Sequence, residues 1–191
     1  MKKKTQFILF VLLITSFTGT AKDRSGVYMT SADFINNNLV FEGDCKNGTK
    51  IKMHDFFYSR PTVTLIHNGE KRTYKKSELY GFRNCNNETY RFYRNDAYQI
   101  AEAGNVFIYT QERNIAQTKG FRVVKAYYFS TTANGDIVPL TLSNLRRAYA
   151  GNDKFQDLLD KYMSGDNVSE YDTLQKSFKI SILLAKTVNR Q

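Results

Sequence analysis

Histidine, cysteine and proline each occur only twice in these 191 residues, and each scarcity narrows the chemistry the chain can perform. His54 and His67 show no HxxxH or other ligand spacing, so no zinc site is expected, and nothing in the sequence calls for a metal or cofactor. His54-Asp55 would work as an acid/base pair only if a nucleophile folded beside it, which adjacency in sequence does not supply. The cysteines lack CxxC spacing, which removes a thioredoxin-type dithiol, and no second pair completes a metal knuckle. No GxSxG elbow occurs, and no Gly-rich loop leads into a helix that would cradle phosphate. Long blocks of one charge are missing as well. Residues 22–139 carry 17 basic and 12 acidic side chains, and residues 140–191 carry 8 and 6. A nucleic-acid footprint needs a concentrated basic face, so nucleic acid is not an expected partner, whereas weak attraction to an anionic surface remains compatible with the excess of base.

The first residues are of a different kind. Lys2, Lys3 and Lys4 precede an apolar run from Phe7 to Ile14, and Gly19-Thr20-Ala21 offers small residues for cleavage. This is the three-part pattern of a secretory signal, expected to end at Ala21, with a core too short for a confident span. No cysteine stands at the junction to accept a lipid. Without residues 1–21 the formal charge falls from +10 to +7 as three lysines leave. No later apolar run reaches membrane-spanning length. The expectation is a single periplasmic or secreted domain over 22–191, β-rich from 22 to 139 and helical from 140 to 191, long enough to bury a core.

In an oxidising compartment Cys45 and Cys85 are expected to pair, though reduced or reactive thiols fit the same spacing. Both sit in turn-like contexts, GDCKNG and RNCNNE, which suits a staple between loops.

Short strands dominate up to Ser130. PTVTLI (61–66) and KRTYK (71–75) flank Asn68-Gly69, a strong hairpin signal. LYGFRN (79–84) and TYRFY (89–93) flank the CNNE turn in the same way. Alternation in the latter predicts Tyr90 and Phe92 on an aromatic core face, with Arg91 and Tyr93 reaching solvent. VFIYTQ (106–111), apolar on both faces, and FRVVKAYYFS (121–130) add two strands. Further strands are expected around Val27–Met29 and Leu39–Phe41, with a helical turn at Ser31–Phe34 between them.

After Pro139 the apolar period changes. Thr141 reads as an N-cap for a helix carrying Leu142, Leu145, Ala148 and Tyr149. Phe155, Leu158, Leu159 and Tyr162 mark a second helix ending by Gly165. Ser169 and Asp172 resemble a capping box opening a third, aligned through Tyr171, Leu174, Phe178, Ile182 and Ala185. The predicted fold class is α+β: an antiparallel β-sheet of short hairpins packed by two or three C-terminal helices.

The densest patch of recognition chemistry is residues 79–98. Tyr80, Arg83, Arg91, Tyr93, Arg94 and Tyr98 are the candidate binding residues, because tyrosine and arginine combine contact area with polar reach. Against this, Tyr80, Phe82, Tyr90 and Phe92 are expected in the core, and the arginines on a solvated face. Glu78, Glu88, Asp96, Glu102 and Glu112 supply carboxylates, and a pair at the right separation would hydrolyse a glycoside, but sequence pairs none of them. No catalytic residue is therefore assigned.

SGVYMTSADF (25–34), KKSELYGFRN (75–84), LTLSNLRRAYAGNDKF (140–155) and SEYDTLQKSFKISILL (169–184) resemble small, uncharacterised exported proteins of Bacteroidetes-type bacteria. The likeness covers most of residues 25–184. It implies a periplasmic or cell-surface setting and carries no active residues. The expected function is a non-catalytic exported module binding a protein, glycan or envelope component. A small hydrolase of glycans or peptides and a structural or assembly protein are the alternatives.

Overall fold

Hairpin turns set the architecture of the protein, a computed structural model of which describes residues 24–45, 49–53, 59–165 and 167–188. His54, Asp55 and the expected leader lie outside the described residues. Thirteen strands are seen among those described: β1 (Arg24–Tyr28), β2 (Val40–Asp44), β3 (Lys50–Lys52), β4 (Thr62–His67), β5 (Glu70–Lys75), β6 (Gly81–Arg83), β7 (Thr89–Tyr93), β8 (Asp96–Glu102), β9 (Phe107–Gln117), β10 (Gly120–Ser130), β11 (Val138–Pro139), β12 (Tyr171–Asp172) and β13 (Ser177–Phe178). Four helices join them: α1 (Ser31–Ile35), α2 (Leu142–Ala148), α3 (Asp153–Tyr162) and α4 (Lys179–Val188). The main sheet runs β11-β10-β9-β8-β7-β6-β1-β2, a three-stranded sheet runs β3-β4-β5, and β12 pairs with β13. Every pairing is antiparallel. The α+β reading, with hairpins first and helices toward the C-terminal end, is the observed one.

Two turns show why the strands reverse where they do. Asn68 (φ 51°) and Gly69 (φ 81°) join β4 to β5, and Arg94 (φ 49°) and Asn95 (φ 69°) join β7 to β8. Two consecutive left-handed residues match the right-handed twist of the flanking strands. Cys45, just after β2, and Cys85, just after β6, are bridged, with Cα atoms 5.4 Å apart. The bond ties the edge strand β2 to the β6–β7 hairpin, which lies beyond β1 in the main sheet.

The two faces of the main sheet have different covers. On one, Val27, Phe82 and Phe92 meet Val63 and Leu65 of the small sheet together with Leu79. Farther along the same face, Val106, Ile108 and Phe129 meet Leu145 of α2, Phe155 and Leu159 of α3, and Ile180, Leu183 and Leu184 of α4. Each such aliphatic or aromatic side chain, once fully buried, contributes about 1.5–3 kcal/mol. On the opposite face Tyr28, Tyr98, Phe107, Tyr109 and Tyr128 are covered by Phe34 of α1 and by Ala133 and Ile137 of the loop after β10. One turn of helix would not persist alone. Thr30 holds α1 in place: its hydroxyl accepts from Asp33 N–H, and the Asp33 carboxylate accepts from Thr30 N–H in return.

Thr141 and Asn152 cap α2 and α3, accepting from Asn144 and Phe155 N–H at 3.2 and 3.1 Å. The expected third helix is corrected. Residues 171–178 form the β12–β13 hairpin, and α4 starts only at Lys179. The Asp172 carboxylate accepts from both Leu174 and Gln175 N–H, closing a turn in place of capping a helix, and Lys176 is left-handed (φ 50°). Leu174 is consequently 94% exposed instead of lying on an apolar stripe.

Candidate functional site

Arg91 is the second correction. Expected to reach solvent, it is 5% exposed. Tyr90 and Phe92 do turn toward the small-sheet cover, which leaves Arg91 on the tyrosine face; that face carries its own second layer. The Arg91 Cζ lies 5.5, 5.6 and 5.9 Å from the ring centroids of Tyr80, Tyr93 and Tyr109. Its Nη1 donates to the Tyr109 hydroxyl at 3.0 Å. That hydroxyl is 2.9 Å from Ser130 Oγ, which in turn donates to the Thr132 carbonyl at 2.7 Å. The chain of donors therefore runs from the guanidinium into the loop after β10. Among the described residues no carboxylate pairs with Arg91, and only one of its five N–H donors has a partner.

Arg91 borders a shallow cleft of about 300 Å³ whose walls come from three separate segments. Thr30 and Ser31 open α1, Ser77 and Glu78 belong to the single 3-10 turn Lys76–Glu78, and Asn134 lies in the loop after β10. Tyr80 lines the cleft as well. Its ring stacks on Phe34 at 5.4 Å and its hydroxyl donates to the Ala133 carbonyl at 3.1 Å. Burial pushes the Tyr80 phenol well above its usual range, with the neighbouring Tyr109 adding to the rise and the Arg91 charge opposing it.

The other candidates divide. Tyr98 is buried edge-on against Tyr128 at 5.1 Å and is a core residue. Tyr93 closes the outer side of the arginine, donating from its hydroxyl to Asp136 at 3.0 Å; burial and that hydrogen bond raise its pKa. Arg94 occupies the left-handed turn, its guanidinium 5.2 Å from the Tyr93 ring. Arg83 points elsewhere: its Nη2 donates to Asn37 at 2.6 Å, and its Cζ lies 5.7 Å from the Tyr28 ring. The structure thus gathers Tyr80, Arg91, Tyr93 and Tyr98, with Arg94 alongside, and separates Arg83.

Two of the carboxylates, Glu88 and Glu112, line one cleft of about 380 Å³ on the opposite face, with Tyr90, Gln99, Thr110 and Lys125. Glu88 accepts from Asn84 Nδ2 at 2.6 Å, from the Tyr90 hydroxyl at 3.1 Å and from Gln99 Nε2 at 3.4 Å. The Asn84 bond, then the Tyr90 bond, hold its carboxyl below the usual range, so it stays ionised at neutral pH and cannot donate a proton to a leaving group. Burial, reinforced by the charge on Glu88, pushes Tyr90 up to about 12. Glu102 is structural, accepting from Ser177 Oγ and Phe178 N–H at 3.0 and 2.8 Å. Among the described residues no group of three or more His, Cys, Asp and Glu side chains is placed to hold a metal.

A more spacious hollow, about 920 Å³, is an open groove between α3 and α4 lined by Leu158, Ile182 and Ala185 with Lys154, Lys161 and Lys186. It contains none of the candidate residues. Sequence reasoning did not bring Tyr109, Ser130 or the 131–137 loop to the site, although TTANGD (131–136) reads as a turn and Tyr109 lies on the second face of the two-sided VFIYTQ. No protein-family model, curated protein or solved structure matches this chain.

Proposed function

We propose that this chain is an exported, non-catalytic binding module that holds a carboxylate group of an envelope glycan or protein at Arg91. The observation that carries the proposal is an arginine only 5% exposed at the edge of a polar cleft, with no carboxylate paired to it and a single hydrogen bond among the described residues. Removing a cation from water is costly, and the three tyrosine rings offset only part of that cost. A planar carboxylate matches the guanidinium fork and would offset the rest. Ser31, Ser77 and Asn134 supply hydroxyl and amide groups for the polar remainder of a ligand. Export rests on the leader pattern of residues 1–21, with which the Cys45–Cys85 bridge is consistent.

The test is amide NMR of residues 22–191 titrated with glucuronate, with glucose as the neutral control. Glucuronate is expected to shift Ser31, Ser77, Tyr80 and Asn134, glucose to shift none of them, and the Arg91→Gln variant to respond to neither sugar. A glucuronate response at those amides that survives in Arg91→Gln, or no response at all, rejects the reading.

The hydrolase reading draws on Glu88 and Glu112 lining the same cleft. Because Glu88 is held ionised, Glu112 would have to be the acid. Release of nitrophenol from nitrophenyl glycosides, abolished by Glu112→Gln, would restore that reading.

A further inference from the structure

The β9–β10 hairpin runs well past the strands beside it. β8 pairs with β9 no farther out than Thr110, and β11 pairs with β10 only at Tyr128 and Phe129. The hairpin's own ladder continues to Gln117 and Gly120. Every residue from Glu112 to Val123 is exposed. Yet this arm carries three large apolar side chains: Phe121, 77% exposed, Val123, 59%, and Ile115, 51%. Between Glu112 and Lys125 it also carries Arg113, Lys119, Arg122 and Lys125 against the single acid Glu112, a net charge of +3.

The register decides which kind of partner fits. Phe121 stands opposite Ala116 and Val123 opposite Asn114, whereas Ile115 stands opposite Arg122. Alternation therefore places Phe121 and Val123 on one face of the arm and Ile115 on the other. A groove in a folded protein would cover one of these faces and leave the other wet. A second copy of the chain would bring two tips of charge +3 together. A fluid interface surrounds both faces at once, and anionic headgroups complement the charge.

We propose that the tip of this arm docks into the headgroup region of a bilayer containing anionic lipid. Depth is set by the backbone. Beyond Thr110 and Ala126 both outer edges of the hairpin lack a neighbouring strand among the described residues, and their N–H and C=O groups need water. The strands consequently stay out of the hydrocarbon, and only Phe121, Val123 and Ile115 reach the acyl boundary. Lys119 and Arg122 beside them face lipid phosphate. Arg113 is held nearer the body, its Cζ 5.3 Å from the Tyr128 ring and its Nε donating to Gln111. The arm is separate from the Arg91 cleft, so either assignment stands without the other.

The chain contains no tryptophan, so a Phe121→Trp variant of residues 22–191 carries a single indole at the tip. It is mixed with vesicles of phosphatidylcholine alone and of phosphatidylcholine with phosphatidylglycerol. The expected result is co-sedimentation and a blue-shifted emission with the anionic vesicles only, both reversed by added salt. Removing two cations with Lys119→Gln and Arg122→Gln should weaken binding roughly thirtyfold. Phe121→Ser with Val123→Ser should weaken it about tenfold or more. All four positions are exposed, so the fold tolerates these changes, and unchanged circular dichroism confirms it. The proposal is overturned if anionic vesicles are not bound, if binding ignores both pairs of substitutions, or if the indole shows no shift while binding occurs. A concentration-dependent dimer abolished by the serine pair would instead assign the arm to a second copy.

Discussion

Removing the Cys45–Cys85 bridge isolates one contribution to stability unusually well. Cys85 is exposed and Cys45 only half-buried, so replacing both by alanine empties little core. What is lost is the constraint on the unfolded chain across a sequence separation of 40 residues. Loop-closure entropy for that length amounts to about 4 kcal/mol at 25 °C. A domain of this size typically has a total stability of about 5–15 kcal/mol, so the loss is a large share of it. At about 2–4 °C per kcal/mol, the melting temperature should fall by roughly 8–16 °C. The assay is urea unfolding of residues 22–191 followed by circular dichroism, comparing the oxidised protein, the Cys45→Ala/Cys85→Ala variant and the parent in reductant. The two unbridged forms should agree with each other, and both should show a steeper denaturant dependence because their unfolded states are more expanded. A loss below about 1 kcal/mol, or a large difference between the variant and the reduced parent, would show that chain entropy is not what this bridge supplies.

Gly81→Ala should cost about 3 kcal/mol or more, since a Cβ there would lie 1.9 Å from the Tyr90 carbonyl oxygen; Gly26→Ala, whose nearest contact is 3.1 Å, should be milder, and thermal melts of both rank them. Glu102→Ala removes the acceptor for Ser177 Oγ and Phe178 N–H and should cost about 1–3 kcal/mol, read as faster exchange of the Phe178 amide with the α2–α3 amides unchanged. Alkali should unfold the protein through its tyrosines. Burial raises Tyr80, and brings Tyr90 and Tyr149 each to about 12, so the folded state holds protons that the unfolded state releases above pH 10. The stability from these phenols is complete below pH 10 and is lost as pH rises toward 12, so the denaturation midpoint should fall across that window; a midpoint flat from pH 10 to 12 would contradict it.

Local chemistry made the hairpins legible. Asn68-Gly69 and the turn after Cys85 mark reversals that depend on a few adjacent residues, and the strands follow from alternation on either side. The same local reading failed at Arg91, because alternation tells which residues share a face but not which face receives a second layer. Here α1 and the 131–137 loop, distant in sequence, cover the tyrosine face and turn an expected surface arginine into a buried one. Residues 169–178 misled for a different reason: Tyr171 and Leu174 share the helical spacing by coincidence, and the Asp172 carboxylate caps a tight turn as readily as it caps a helix. The length of the arm was hidden too. QERNIAQ is too polar to announce a strand, and it becomes one by pairing with the β-branched and aromatic residues of 120–126.

Both proposed contact surfaces arise where a covering layer stops. The Arg91 cleft opens where α1, the 3-10 turn and the 131–137 loop meet without closing over the sheet, so the side chain is largely covered by the body yet borders a cleft. The arm begins where the covers on each face run out, near Thr110 on β9 and Tyr127 on β10, after which every β9 residue is half-buried or exposed. Neither feature helps the isolated fold: a largely buried cation with no paired acid among the described residues and three exposed apolar side chains both carry a cost in water. Side chains that cost the free protein something and gain only on contact are what a recognition surface requires. That placement is the physical argument for the two proposed contacts.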